Sequence, residues 1–97
     1  MNVTFHDDAL AEYLAAIAWY ERDYPGRGER FSAAVERAVA RVAHAPHAFG
    51  ERFGYRLVPV YRFPYVLFID STSDAPTLCV VAVAHAKRRP GYWRKRR

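Results

Sequence analysis

Up to Ala45 the apolar residues recur every three or four positions, and from Tyr55 onward they gather into short, nearly continuous blocks. Leu10, Tyr13, Leu14, Ile17, Tyr20 and Tyr24 make one stripe at helical spacing. Phe31, Ala34, Val35, Ala38, Val39 and Val42 make a second, which predicts a helix from about Gly28 to His44. Asp7 or Asp8 can cap the first helix, because a carboxylate accepts hydrogen bonds from the free amides of a first turn. Tyr24-Pro25-Gly26 interrupts the first pattern and Ala45-Pro46 ends the second. The two helices therefore pair as an antiparallel hairpin, preceded by a short strand at Val3-Thr4-Phe5.

Residues 47–54, with Gly50 and Gly54, have turn chemistry. Three strands are predicted beyond them, Tyr55–Val60, Tyr65–Ile69 and Thr77–His85. They are joined by Tyr61-Arg62-Phe63-Pro64 and by the loop Asp70–Pro76, links short enough for antiparallel neighbours. Pro59 and Pro64 mark the first of these strands as edge-like or bulged, since proline donates nothing to a ladder. The order is βααβββ. It predicts an α+β fold in which an N-terminal strand and an antiparallel helical hairpin pack on one face of a small, mainly antiparallel sheet. At 97 residues the chain is expected to be one domain, 1–97.

The last strand is apolar at both parities: Leu78, Val80, Ala82 and Ala84 on one side, Cys79, Val81 and Val83 on the other. Such a strand is normally buried on both faces. Two helices cover only one. Arg89-Pro90-Gly91-Tyr92 has proline and glycine where a type II turn wants them, so Tyr92 and Trp93 are expected to fold back over the other face. Apolar surface left open after that would be a partner site.

Charge sharpens the picture. The formal net charge is +5, but seven of the fifteen basic residues lie in Lys87–Arg97, which has no acidic residue, and the remainder is slightly acidic. A local cation cluster beside aromatic side chains suits a polyanion or an acidic protein. Residues 94–97 are expected to be a flexible basic tail. No apolar stretch approaches the ~20 residues that span a bilayer, and the N-terminus lacks a signal peptide's basic start and apolar centre. Cys79 is the single cysteine. A cytoplasmic, reducing location is therefore expected, with Cys79 a buried thiol. There is no glycine-rich phosphate loop, nucleophile elbow or paired-carboxylate cleft. His6, His44 and His47 lack ligand spacing, so neither metal nor cofactor is expected. The tyrosine stripe reads as packing, and Asp7-Asp8 as a cap.

Phe63-Pro64-Tyr65-Val66-Leu67-Phe68 and Val81-Ala82-Val83-Ala84-His85-Ala86-Lys87-Arg88-Arg89-Pro90-Gly91-Tyr92-Trp93, following a helical hairpin of this length, resemble the RelE/ParE toxin superfamily of bacterial type II toxin–antitoxin modules. The resemblance covers nearly the whole chain and is closest to the ParE-like, plasmid-stabilisation branch. It implies a toxin neutralised by a cognate acidic antitoxin whose C-terminal segment folds on binding, and it implies no membrane association.

Two chemistries follow from the two branches. The ParE-like branch implies growth inhibition by poisoning DNA gyrase with no catalytic step, the target or nucleic acid being met by Lys87, Arg88, Arg89, Tyr92, Trp93 and Arg94. The RelE-like branch implies a ribosome-dependent, metal-independent mRNA endonuclease (an mRNA interferase). It would need a base, a leaving-group acid and cations for the phosphorane. His85 is the candidate base, Tyr92 the candidate acid, and Arg62, Arg88 and Arg89 the candidate cations. RelE-like nucleases typically carry several lysines on the sheet, whereas Arg52–Asp74 contains three arginines and no lysine. That departure favours the gyrase branch. A non-toxic, nucleic-acid-binding relative is the remaining alternative.

Overall fold

A computed structural model describes residues 2–70, 77–89 and 91–96. The elements are β1 (Asn2–Phe5), α1 (Asp7–Asp23), α2 (Arg27–His44), a 3-10 turn at Pro46–Ala48, β2 (Glu51–Arg52), β3 (Tyr55–Val60), β4 (Tyr65–Asp70) and β5 (Thr77–His85). They form an α+β fold with one five-stranded sheet in the order β1-β5-β4-β3-β2. The helical hairpin carries the chain across one face of the sheet, so β1 joins β5 in parallel while every other pairing is antiparallel.

Each boundary has a local cause. The α1 cap is His6, whose Nδ1 accepts the Asp8 N–H at 3.1 Å. Asp7 and Asp8 sit inside the first turn, one step later than the sequence suggested, where their charge still favours a helix N-terminus. Between the helices, Glu21 accepts the amides of Gly26 and Gly28 at 3.0 and 3.2 Å and so caps α2 from the preceding helix. Gly28 also lets the helices approach closely. A Cβ there would meet the Ile17 carbonyl oxygen at 2.7 Å.

The strand β2 is an addition to the expected order. It has two residues and pairs with the start of β3 through a turn in which Phe53 and Gly54 both have positive φ, +58° and +82°. Beyond this short pairing β3 is the sheet edge, and Pro59 lies there as its chemistry requires.

The main core lies between hairpin and sheet. Phe31, Val35 and Val42 of α2 and Ala9, Ala16 and Tyr20 of α1 meet Val58, Leu67, Ile69, Val80 and Val83. The opposite face holds a second cluster of Tyr55, Phe68, Val81, Ala82, Ala84 and Trp93. Trp93 stacks on Phe68 with ring centroids 3.6 Å apart and is 1% exposed. The C-terminal segment thus folds back as the second cover. Gly91 has φ +87°, the value a type II turn asks of its third residue, while Pro90 lies outside the described residues, as does the expected loop from Ser71 to Pro76.

One register detail differs from strict alternation. Ile69 opposes Val80 but Phe68 opposes Ala82, so Val81 is an extra residue on β5. The bulge shifts the parity. Leu78 and Val80 face the helices before it and Val83 does so after it, while Ala82 and Ala84 turn to the Trp93 side.

Candidate functional site

The residues singled out from the sequence cluster around the end of β5, with one exception. His85 closes the strand, its ring edge-on to Tyr65 at 5.2 Å. The chain then turns sharply. The Ala86 N–H donates to the Pro64 carbonyl at 2.8 Å, the Arg88 N–H to the His85 carbonyl at 2.9 Å, and the Lys87 N–H to His85 Nδ1 at 3.1 Å. His85 is therefore engaged as a cap of this turn through one ring nitrogen. Arg62 is the exception. It sits in the β3–β4 turn with φ +75° and lines a different groove, against α2.

Beyond the turn, Lys87, Arg88, Arg89 and Arg94 are exposed, Tyr92 is half-buried and Trp93 belongs to the core. The Arg88 guanidinium lies over the Tyr92 ring at 4.0 Å, and that of Arg94 over Phe53 at 4.9 Å. Stacking on an aromatic face leaves a guanidinium edge free to grip a carboxylate or phosphate.

The organising residue is Glu12, which the sequence reading passed over. Its carboxylate projects from α1 to the free edge of β5, past the point where β1 stops pairing. Oε1 accepts the Val83 N–H at 3.0 Å and Arg96 Nη1 at 2.8 Å; Oε2 accepts the Tyr92 hydroxyl at 2.6 Å and Arg96 Nη2 at 3.2 Å. Arg96 Nη1 also donates to the carbonyl of Val81, the bulged residue, at 3.1 Å. Glu12 and Arg96 together satisfy backbone groups that a sixth strand would otherwise meet. Arg96, inside the segment 94–97 expected to be a basic tail, thus makes side-chain bonds to both α1 and β5; Arg97 lies outside the described residues. A signal was present. Glu12 shares the i, i+4, i+8 row with Ala16 and Tyr20, so it points inward, in a chain whose cations lie at the other terminus.

This network sets the electrostatics. Burial first, then the Glu12 hydrogen bond, raise the Tyr92 hydroxyl well above the ordinary phenol value of 10.0. The Arg96 guanidinium is likewise raised, chiefly by its bond to Glu12. A phenol held this way keeps its proton and is committed to a carboxylate, which is poor preparation for a leaving-group acid.

Beside the network lies a cavity of ≈ 590 Å³, between α1 and the ends of β4 and β5, lined by Ala15, Trp19, Tyr65, Val83, His85 and Arg88 among others. Trp19 is 55% exposed. Further along α1, Leu10 and Leu14 are also largely exposed, and Ala11, Ala15 and Ala18 share that outward side. The helical spacing predicts Leu10, Leu14 and Tyr24 in the packed stripe. Instead Ala9 and Ala16 take the buried places and the bulky residues face out. Open apolar surface is thus present on a helix rather than on the sheet. Cys79 is a free, half-buried thiol on the Trp93 side. Among the described residues no group of three or more His, Cys, Asp or Glu side chains could hold a metal ion, and no helix is long and apolar enough to cross a membrane.

A solved structure described as the chromosomal ParDE TA system from P. aeruginosa has the same fold, with a TM-score of 0.74 at 13% identity over 90% of this chain and 97% of that one. A family model described as the ParE toxin of the type II toxin–antitoxin system, parDE, matches residues 3–90. The chain belongs to the ParE toxin family. No curated protein sequence gives a match.

Proposed function

We propose that this ParE-family toxin arrests growth in the cytoplasm by poisoning DNA gyrase, without catalysing a step itself, and that a cognate acidic antitoxin neutralises it. The observation that carries this reading is the commitment of the would-be catalytic groups to structure. His85 Nδ1 accepts a backbone amide and the Tyr92 hydroxyl is bound to Glu12. Arg62, the remaining candidate of the catalytic set, lines a separate groove. RNA cleavage by an internal 2′-hydroxyl needs base, acid and cations converging on one phosphate. What faces solvent here is a set of cations, Lys87, Arg88, Arg89 and Arg94, although Arg88 also approaches Glu12 at 3.9 Å. That arrangement binds; it has no prepared proton path.

The antitoxin is assigned to the outward face of α1. Leu10, Leu14 and Trp19 offer the apolar area a partner helix or extended segment would bury, and Arg88 at the rim of the adjoining cavity offers it a cation. The test is induction of the chain in cells, reading growth, DNA breaks and mRNA integrity together. Arrest with broken DNA and intact mRNA is expected, reduced by R88A/R89A and retained by H85A. Arrest with cleaved, ribosome-bound mRNA that H85A abolishes would overturn the reading.

A further inference from the structure

The outward sides of the two helices differ in chemistry. That of α1 is apolar, whereas α2 presents Arg27, Arg30, Arg37 and Arg41, spaced by three, seven and four residues and so aligned along one side. Arg62 joins them from the β3–β4 turn. Arg27, Arg30, Arg37 and Arg62 line a groove of ≈ 350 Å³ with Ala33 and Phe63. Arg37 is shared with a second groove of ≈ 270 Å³ that continues past Arg41 and the exposed ring of Tyr61. No acidic residue lines either groove.

Two of these five arginines are already occupied. Arg27 pairs with Asp23 at 2.7 Å. Arg41 donates to the Pro59 carbonyl at 2.7 Å and lies over the Tyr61 ring at 3.9 Å. Arg30, Arg37 and Arg62 are exposed, and their side chains have no ion pair or hydrogen bond with any described residue. Three cations without a counter-charge among the described residues repel one another around one groove, a cost that a polyanion removes. A folded protein partner would draw its affinity from apolar burial, for which α1 exposes Leu10, Leu14 and Trp19 while the Arg30–Arg37–Arg62 groove offers only Ala33 and Phe63. Arginine also presents a planar fork that grips phosphate oxygens two at a time. Seven helical residues from Arg30 to Arg37 rise about 10 Å, which matches roughly three phosphates of one strand at ~3.4 Å of duplex axis each. No Asn or Gln lines the grooves to read a base edge.

We infer that the α2 groove binds the phosphate backbone of double-stranded DNA, independently of sequence, through Arg30, Arg37 and Arg62. This is a contact surface separate from the C-terminal cations. It stands apart from the gyrase reading, because naked duplex binding is measured without gyrase; if both hold, the groove meets the DNA that the enzyme carries.

The experiment is fluorescence anisotropy with a short labelled DNA duplex over a salt series. The single variants R30Q, R37Q and R62Q are each expected to flatten the slope of log affinity against log salt by about 0.9, and the triple variant by about 2.7. The triple lysine variant R30K/R37K/R62K keeps the charge and is expected to keep most of the slope. Changing the tail instead, in R89Q/R94Q, is expected to leave the groove's share intact. Because each single variant is read separately, the result does not depend on the triple variant folding. Wild-type protein with no salt-dependent duplex binding would overturn the proposal. So would single variants with an unchanged slope, or tighter binding to single-stranded RNA than to duplex DNA at matched salt. Loss of antitoxin binding in these variants with DNA binding untouched would assign the groove to a protein partner and equally overturn it.

Discussion

Replacing Glu12 tests the packing logic of the molecule at its most connected point. The carboxylate accepts four hydrogen bonds from Val83, Tyr92 and Arg96, and the Glu12 and Arg96 side chains retain only 15% and 17% of their exposure. Hydrogen bonds to a charged group contribute about 1.5–3 kcal/mol each, but bonds sharing one carboxylate do not add. Breaking a largely buried pair by removing one partner costs about 3–5 kcal/mol. Glu12→Ala leaves the Val83 amide without its acceptor and Arg96 with only Asp8, at 3.6 Å, as counter-charge, so the lower figure of ~3 kcal/mol is expected at this partly screened site. For a domain of this size that lowers Tm by roughly 12–24 °C. Glu12→Gln keeps one oxygen for the amide but loses the charge and turns an NH2 toward the Tyr92 hydroxyl; about half the loss is expected. The assay is thermal and urea unfolding of both variants, with R96Q and the E12Q/R96Q double variant closing a cycle. A coupling energy below about 0.5 kcal/mol, the level of unrelated sites, would refute the reasoning. An E12A protein that melts like wild type would refute it outright.

Three further outcomes follow from the same geometry. Trp93→Ala uncovers Phe68 and Tyr55 on the second sheet face and is expected to cost about 3–5 kcal/mol in urea unfolding; a loss below about 1 kcal/mol would mean the strap is not a core element. The Tyr92 hydroxyl is raised by burial and by Glu12, so the folded state holds its proton where the unfolded chain releases it. Its stabilisation is therefore complete below pH ~10 and is lost as pH rises above that value. A Tm series from pH 8 to 11 should fall at the alkaline end, less steeply in Tyr92→Phe, although the raised hydroxyls of Tyr20 and Tyr65 contribute in the same direction; an identical fall in Y92F would exclude Tyr92 as a source. Leu14→Glu and Trp19→Glu place a charge on the outward face of α1 and should weaken antitoxin binding roughly five- to thirtyfold each, by calorimetry, with Tm unchanged; undiminished binding would move the antitoxin elsewhere.

Several helix and strand limits were legible because breakers stand at them: Pro25-Gly26, Pro46 and Pro64. The fold-back of Trp93 was legible too, since a strand apolar at both parities needs two covers. Three features were not. The bulge at Val81 is hidden because the strand is apolar on both sides, so a one-residue slip leaves no mark in the pattern. The orientation of α1 is hidden for a related reason. With leucine, alanine and aromatic residues around almost its whole circumference, periodicity does not choose a side, and the choice fell to the small residues Ala9 and Ala16, which are buried in the core. The pair β2–β3 depends on Phe53 adopting positive φ, which few sequences announce. Of the site, the cations were legible and their anchor was not, because Glu12 and Arg96 meet across almost the full length of the chain.

The stitch between those two residues has a bearing on the protein's lifetime when it is made without its antitoxin. The carbonyl of Val81 and the amide of Val83 belong to an apolar strand edge, the kind of template onto which another chain can add. A carboxylate and a guanidinium occupy both groups, so a charge pair guards the edge against self-association. One half of that guard is the Arg96 side chain, so losing that guanidinium opens the edge to aggregation.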